Sequence, residues 1–207
     1  MQIILLRHGE SEANVAGLLS SNTSDPYRLT PKGVKQIKDA VKLIPNPLDA
    51  IYVSPLKRTI HTAEVVSDYL EIIPPKVQLE DRVKEIDYGV YSGHPNNDKL
   101  DRIREAQVLG DTTTRFGESG ENKCDIEYRL YSFLIHILET YPRNAAVLVI
   151  SHGSIVNWLE RILEDDAVNH ELKNTNVVNG DVRCHKLTKQ QLQGLYKQRD
   201  EISRRET

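Results

Sequence analysis

The stretch IILLRHGES occupies residues 3–11, and in it an apolar run ends at an arginine, a histidine and a glycine. The run predicts a buried strand, and Arg7, His8 and Gly9 stand where that strand gives way to a loop. In open α/β sheets, ligands bind outside the carboxyl ends of the strands. A histidine placed there beside a fixed positive charge is suited to attack a phosphoryl group. The alternative is a surface arginine followed by a loop histidine that satisfies a backbone group.

The rest of the chain alternates short apolar runs with helical patterns. Strands are predicted at residues 2–6, 49–53, 77–79 and 145–150. Helices are predicted to begin at Thr30-Pro31 and after Ser54-Pro55, to cover residues 126–138, and to follow Ser151-His152-Gly153 as far as about Leu163. The Asn179-Gly180 pair predicts a type I′ hairpin within residues 177–182. This order indicates an α/β three-layer sandwich, with a mostly parallel central sheet, one antiparallel edge strand, and helices on both faces.

The length and the absence of a linker pattern indicate one domain over residues 1–207. Residues 87–121 form a long polar excursion with several glycines, which we expect to be lid-like and in which residues 98–108 fit a helix. The tail after about residue 187 is polar and weakly helical, so we expect a solvated end.

The composition of the chain limits which classes of partner and which cellular location are expected. The net charge of −3 is mild, so nothing predicts binding to nucleic acid or to an anionic membrane surface. No apolar run approaches the length of a transmembrane helix, and the N-terminus lacks the pattern of a signal peptide. Cys124 and Cys184 form no CxxC pair, which favours free thiols over a zinc site and indicates a reducing compartment. We therefore expect a cytoplasmic protein.

Three predicted strands end in similar chemistry. The first is followed by Arg7-His8-Gly9, the second by SPLKR at residues 54–58, and the fourth by Ser151-His152-Gly153. If these strands are neighbours, two arginines and two histidines converge on one edge of the sheet and form a pocket for a dianion. Taken singly, Arg58 also fits a solvated helix residue and His152 a helix cap, but their joint occurrence after three buried strands favours the pocket.

These residues resemble the histidine phosphatase superfamily, which includes the cofactor-dependent phosphoglycerate mutases. The resemblance covers about residues 1–187 and rests on residues 6–11, Asn14, residues 29–33, residues 54–58, Glu85 and residues 151–153. It implies that His8 is the nucleophile that takes the phosphoryl group, and that Arg7, Arg58 and His152 hold the phosphate oxygens. Asn14 would add a neutral donor. It also implies chemistry without a metal or another cofactor, because the arginines and histidines supply the positive charge.

A leaving alkoxide needs a proton, so the reaction requires a general acid. The candidates in this region are Glu80, Asp81, Glu85 and Asp87. The family places a glutamate shortly before a glycine, which the stretch from Glu85 to Gly89 matches, so the resemblance implies Glu85 as the acid and Asp87 as the second choice. After transfer, Glu85 would act as the base that activates water.

The chain departs from the family pattern at three places. The second glycine is preceded by Tyr91-Ser92, and residues 59–63 read TIHTA, so His61 either lines the site or lies on the helix surface. The excursion lacks the lysine and paired arginines that bind phosphoglycerate in mutases; Arg102, Arg104 and Arg115 lie in another context. Residues 116–121, FGESGE, instead resemble the Gly-Glu-Ser stretch of the phosphatase branch.

The sequence therefore favours a phosphatase that hydrolyses small-molecule phosphate monoesters. A mutase and a catalytically inactive binding or scaffold protein of the same fold are the alternatives. The particular ester and the oligomeric state stay open at this stage.

Overall fold

The computed structural model describes residues 1–71, 76–164 and 176–204. Within them, a five-stranded sheet has the order β3-β2-β4-β1-β5. Its strands are β1 (Gln2–Arg7), β2 (Ala50–Val53), β3 (Val77–Leu79), β4 (Ala146–Ser151) and β5 (Val182–Lys186). The pairs β1–β4, β2–β4 and β2–β3 are parallel, and β5 lies antiparallel to β1 at one edge. The predicted mostly parallel sheet with one antiparallel edge strand is confirmed.

Helices cover both faces of this sheet. They are α1 (Glu12–Ala16), α2 (Pro31–Ala40), α3 (Lys57–Leu70), α4 (Asp98–Val108), α5 (Lys123–Thr140), α6 (Gly153–Glu164) and α7 (Lys189–Ser203). Short 3-10 helices occupy Val41–Leu43, Asp81–Val83 and Gly89–Tyr91. Strand β1 explains the layering, because its alternate residues enter different apolar cores. Ile3 and Leu5 pack with α5 and α6, whereas Ile4 and Leu6 pack with α2 and α3.

A local signal explains where α2 begins, and the excursion contains the helix predicted there. The hydroxyl of Thr30 accepts a hydrogen bond from the backbone N–H of Gly33, and Pro31 occupies the first turn of α2. In the excursion, α4 covers the predicted range and buries Leu100 and Ile103. The lid-like character of the excursion and the single domain over residues 1–207 stay predictions.

The predicted hairpin at residues 177–182 is wrong. Residues 176–178 are not a strand, and β5 begins at Val182 and pairs with β1. A turn does occur at Asn179-Gly180, where the N–H of Asp181 donates to the carbonyl of Val178 (3.1 Å). Of those two central residues, only Gly180 has a positive φ, 80°, so the turn is not type I′. The polar groups of this segment are instead hydrogen-bonded to the end of β1 and to the residue after it, so the segment does not pair with β5. The carbonyl of Val177 accepts from the side chain of Arg7, and the side chain of Asn179 donates to the carbonyl of His8.

The C-terminal segment also differs from its prediction as a solvated end. Helix α7 begins with a capping box between Thr188 and Gln191 and packs against α5. Leu195 and Ile202 are buried, and Leu195 joins the same core as α5. A narrow apolar stripe is therefore sufficient to dock a helix whose composition is otherwise polar.

Candidate active site

The three polar strand ends meet at one edge of the sheet. In the parallel register of β1 and β4, Arg7 lies opposite Ser151, so the residues that follow them are neighbours. The backbone N–H of His8 donates to the carbonyl of Ser151 (3.0 Å), and that of Ser54 donates to the carbonyl of Ile150 (3.1 Å). The expected convergence of Arg7, His8, Arg58 and His152 follows from this arrangement.

Arg58 lies at the centre of the cluster. Its side chain leaves the first turn of α3 and the residue is only 4 % exposed, so the interpretation as a solvated helix residue is wrong. The guanidinium donates from Nε to Nε2 of His8 (3.1 Å) and from Nη2 to Nδ1 of His152 (2.9 Å). It also donates to the hydroxyl and to the carbonyl of Ser20, both at 2.9 Å. One planar cation thus links both histidines to the loop after α1.

The two histidines are held as opposite tautomers. An arginine only donates, so Nε2 of His8 and Nδ1 of His152 both accept. The other nitrogen of His8, Nδ1, therefore carries the proton and donates to the carbonyl of Gly9 (2.7 Å). The other nitrogen of His152, Nε2, donates to the hydroxyl of Ser54 (2.7 Å), so the His152 side chain does not cap α6.

Both rings are neutral in this setting. Burial, and then the charge of Arg58, hold the pKa of His8 and the pKa of His152 well below the ordinary value of 6.5. The ring centroids are 5.2 Å apart at an interplanar angle of 65°. A neutral His8 whose Nδ1 is anchored keeps an electron pair on Nε2, which is the form that a nucleophile requires.

Arg7 reaches a pocket beside this pair. Its Nη1 donates to the carbonyl of Val177, while its buried Nε has no hydrogen-bond partner among the described residues. A side chain at Gly153 would lie about 3.3 Å from the guanidinium, so the glycine makes room for Arg7 at the start of α6. The pocket is lined by Arg7, Glu85, Gly153, Ser154, Asn157, Asn176 and Val177.

Glu85 is the carboxylate of the four acidic candidates that lines this pocket. Its Oε1 accepts the backbone N–H of Ile86 (2.9 Å). Burial lowers the pKa of Arg7 and the pKa of Arg58 below the ordinary value, and the negative charge of Glu85 offsets part of that lowering. Glu80 forms a salt bridge with Arg82 at 2.6 Å. Asp81 is exposed, and Asp87 accepts from the backbone N–H of Gly89 (2.8 Å).

Of the predicted site residues, Arg7 and Glu85 line this pocket. His8, Arg58 and His152 are buried next to it and are not among its described lining residues, and neither are Asn14 and His61. Asn14 is exposed on α1, where its Oδ1 accepts from the backbone of Ser11 (3.1 Å) and from Asn179 (3.2 Å). Asn179 in turn donates to the carbonyl of His8, which links Asn14 to the site indirectly. His61 accepts from the backbone N–H of Leu29 (3.2 Å), so the helix-surface interpretation fits the structure.

Several residues at the site were missed by the sequence. Ser20 follows α1 in a polar stretch without a distinctive pattern, and Asn157 and Asn176 belong to no motif. Ser54 belongs to the motif at residues 54–58, in which the resemblance implies a chemical role for Arg58 alone. Tyr88 is fully buried next to the pocket: its hydroxyl is hydrogen-bonded to Ser154 and Arg104, and burial raises its pKa to about 12.

The described residues contain neither a cluster suited to a metal ion nor a membrane-spanning helix. No group of three or more histidine, cysteine, aspartate or glutamate side chains in residues 1–71, 76–164 and 176–204 is arranged to hold a metal ion. No helix in those same ranges is both long and apolar enough to span a bilayer.

Comparison with known proteins gives a consistent family. Residues 3–195 match the family model of the histidine phosphatase superfamily (branch 1). The chain is 29 % identical over 178 residues to the uncharacterized phosphatase PhoE of Bacillus subtilis, covering 86 % of this chain and 83 % of that one. It is 30 % identical over 175 residues to a 2,3-bisphosphoglycerate-dependent phosphoglycerate mutase of Rhizobium etli, covering 78 % and 79 %. The solved structure of Bacillus stearothermophilus YhfR has the same fold, with a TM-score of 0.72, 24 % identity and coverage of 91 % and 92 %.

Proposed function

The chain belongs to the histidine phosphatase superfamily (branch 1), and from that premise we propose that it hydrolyses small phosphate monoesters through a phosphohistidine intermediate on His8. The observation that carries the proposal is the state of His8. Its ring is buried and neutral, its Nδ1–H is anchored on the carbonyl of Gly9, and its Nε2 lies 3.1 Å from the guanidinium of Arg58. A nucleophile and a cation that stabilises phosphate are therefore in contact.

In the first step, the electron pair on Nε2 of His8 attacks phosphorus while the ester P–O bond breaks. Arg58 turns its Nε donor from the histidine to a phosphate oxygen, because the new N–P bond uses the electron pair that this donor now occupies. The carbonyl of Gly9 stabilises the positive charge that develops on the ring. Protonated Glu85, across the pocket beside Arg7, gives its proton to the leaving oxygen.

In the second step, water attacks the phosphorus of phosphohistidine. The Glu85 carboxylate takes a proton from the water, and the electron pair of the N–P bond returns to Nε2 of His8. Arg7 and Arg58 hold the phosphate oxygens through both steps, and they supply the positive charge that a metal ion supplies in other phosphoryl-transfer enzymes. His152, which is neutral, would join them by turning its Nε2–H from the hydroxyl of Ser54 to a phosphate oxygen. Asn14 would assist through its amide nitrogen, since its oxygen is used at the start of α1.

The pocket favours a phosphatase over a mutase. A mutase substrate carries a second anionic group, which requires further cations. Among the described lining residues, Arg7 is the one cation, and Ser154, Asn157 and Asn176 are neutral. The arginines of the excursion are not among the described lining residues. Arg104 is hydrogen-bonded to Asp101, to Asn96 and to the hydroxyl of Tyr88, Arg115 is paired with Asp125, and Arg102 is exposed.

One assay separates phosphatase, mutase and inactive scaffold. The protein is incubated with p-nitrophenyl phosphate, and separately with 3-phosphoglycerate plus 2,3-bisphosphoglycerate. We expect phosphate release that is lost in His8→Ala. Rapid isomerisation with little phosphate release would select the mutase, and absence of turnover together with absence of labelled histidine would select the scaffold.

A further inference from the structure

The loop that carries Glu85 is held by an ion pair outside the pocket. Arg129 lies on α5, and Glu121 lies just before that helix begins. The guanidinium binds the carboxylate with both arms, from Nε to Oε1 (2.7 Å) and from Nη2 to Oε2 (3.1 Å). The side chains are 11 % and 14 % exposed, respectively. Neither residue is among the described residues that line the pocket, and their side chains are hydrogen-bonded to each other and to backbone groups of the loop.

The pair grips the loop on both sides of Glu85. On one side, Nη1 of Arg129 donates to the carbonyl of Arg82 (2.6 Å) and to the carbonyl of Lys84 (3.0 Å), which directly precedes the acid. On the other side, Oε2 of Glu121 accepts the backbone N–H of Asp87 (2.9 Å), and the N–H of Glu121 donates to the carbonyl of Asp87 (2.9 Å). The two residues between Lys84 and Asp87, which are Glu85 and Ile86, are therefore fixed at both ends.

Close packing tightens the same connection. A side chain at Gly120 would come within 2.6 Å of the carbonyl oxygen of Asp87, so only glycine permits this approach of the two backbones. The hydroxyl of Ser151 donates to the carbonyl of Val83 (2.7 Å), which ties the loop to the end of β4, one residue before His152. The loop is thus held relative to both α5 and the phosphate-binding edge of the sheet.

We propose that Arg129 and Glu121 are positioning residues that hold Glu85 within reach of the leaving-group oxygen, an inference that rests on the proposed function and its assignment of Glu85. Proton transfer depends steeply on the placement of the acid, and small displacements of a catalytic group lower rates by one or two orders of magnitude. A buried arginine fork with four acceptor contacts is suited to that task because it is planar and fixed in direction.

Two substitutions separate geometry from charge. Burial and the charge of Arg58 do most to lower the pKa of His152, and the positive charge of Arg129 adds to that lowering. Arg129→Lys keeps this charge and loses the fork, whereas Glu121→Gln keeps the acceptor for Asp87 and loses the ionic partner. Arg183→Lys is the matched control, because Arg183 forms a similarly buried ion pair with Glu160 at 2.6 Å and makes no contact with the loop that carries Glu85.

The test measures kcat and KM for two probes, p-nitrophenyl phosphate and an alkyl phosphate such as glycerol 1-phosphate. The alkyl alkoxide is a poor leaving group and needs the acid, whereas the aryl oxide leaves with little help. We expect Arg129→Lys to lower kcat/KM by about 10-fold for the alkyl ester and by less than about 3-fold for the aryl ester. The comparison uses kcat/KM because it reports the first step, in which Glu85 is the acid, whereas kcat also contains the second step, in which Glu85 is the base for both esters. Glu121→Gln should change the ratio in the same direction, and Arg183→Lys should leave it unchanged.

A double variant that combines Arg129→Lys with Glu85→Gln tests the positioning role even when Arg129→Lys lowers stability. If Arg129 acts through Glu85, adding Arg129→Lys to Glu85→Gln changes the ratio of the two rates no further. Equal losses on both esters, or a further change in that background, would overturn the inference while leaving the proposed function intact. Wild-type protein without His8-dependent phosphate release would overturn both. Glu85→Gln with equal effects on both esters would remove the acid assignment and the positioning role with it.

Discussion

Nε of Arg58 donates a hydrogen bond to Nε2 of His8 across 3.1 Å, on the ring nitrogen that the proposed reaction uses. The same guanidinium donates to Nδ1 of His152. Because this group only donates, it imposes opposite tautomers on the two rings. The remaining N–H of His8 donates a hydrogen bond to the carbonyl of Gly9, and that of His152 donates to the hydroxyl of Ser54. Arg58 therefore organises the nucleophile as well as supplying charge.

Replacing Arg58 with lysine tests this double role. Arg58→Lys keeps the positive charge but cannot donate to His8, His152 and Ser20 together. We expect kcat/KM for p-nitrophenyl phosphate to fall about 10²- to 10³-fold, as for the loss of a preorganised donor to a developing anion. Steady-state kinetics measure the change, with Arg28→Lys as the control, because Arg28 forms an exposed ion pair with Glu64. A variant that keeps more than about a tenth of the wild-type rate would show that charge alone is sufficient.

Stability should depend on pH through the two buried histidines. Burial first, and Arg58 second, depress the pKa of His8 and that of His152 below 6.5. Below pH 6.5 the unfolded chain therefore binds protons that the folded protein does not. The free energy of unfolding then decreases as the pH is lowered, by about 1.4 kcal/mol per pH unit for each ring. Above pH 6.5 both states are neutral at these rings, and below the depressed pKa values both are protonated, so the dependence is confined between them.

Urea denaturation at pH 7.5, 6.5 and 5.5 measures this dependence. His152→Asn should flatten the decrease by about half, since it removes one of the two rings. A decrease that is equally steep in His152→Asn would assign it to other groups. The same depression predicts that kcat/KM keeps its value as the pH falls below 6.5, because His8 stays neutral there.

The convergence of the site was predictable because it depends on local signals. Apolar runs fix where strands end, and parallel strands bring their carboxyl ends to one edge, so Arg7, His8 and His152 followed from the sequence. The turn before β5 was not predictable in the same way. The Asn179-Gly180 signal is local, but the backbone of Val177 is engaged by Arg7, 170 residues away along the chain. Tertiary contacts therefore replaced the hairpin.

Two other features lie beyond pattern analysis for related reasons. Helix α7 is polar by composition, so the sequence alone does not show that Leu195 and Ile202 are buried. Their burial follows from the packing of α7 against α5 in the folded protein. Arg129 donates to backbone carbonyl groups 45 and 47 residues earlier in the chain. Every residue type has a backbone carbonyl, so the sequence cannot indicate which ones this side chain contacts. Side-chain identity predicts chemistry, whereas its placement depends on the assembled fold.

Ser54 should stabilise His152 through a single buried hydrogen bond. Ser54 and His152 are both fully buried, and Ser54→Ala leaves the Nε2–H of His152 without its acceptor. We expect the free energy of unfolding to fall by about 1–3 kcal/mol. In the His152→Ala background the same substitution should have an effect smaller by about 1 kcal/mol, because the donor is already absent. Urea denaturation of the four proteins measures this coupling, and additive effects would show that Ser54 stabilises the protein by other means.

Gly33 should be irreplaceable for a reason of space. A Cβ atom there would lie 2.1 Å from the carbonyl oxygen of Glu10. Because that oxygen belongs to the backbone and cannot rotate away as a side chain could, Gly33→Ala must displace the loop that follows His8. We expect the free energy of unfolding to fall by about 2 kcal/mol or more, together with a loss of kcat as the Gly9 carbonyl that anchors His8 moves. Gly194→Ala is the control: it lies within α7 with nothing within 4 Å, so alanine should stabilise the protein by up to about 1 kcal/mol. If Gly33→Ala were as stable and as active as Gly194→Ala, the close contact between the two loops would not be what holds His8 in place.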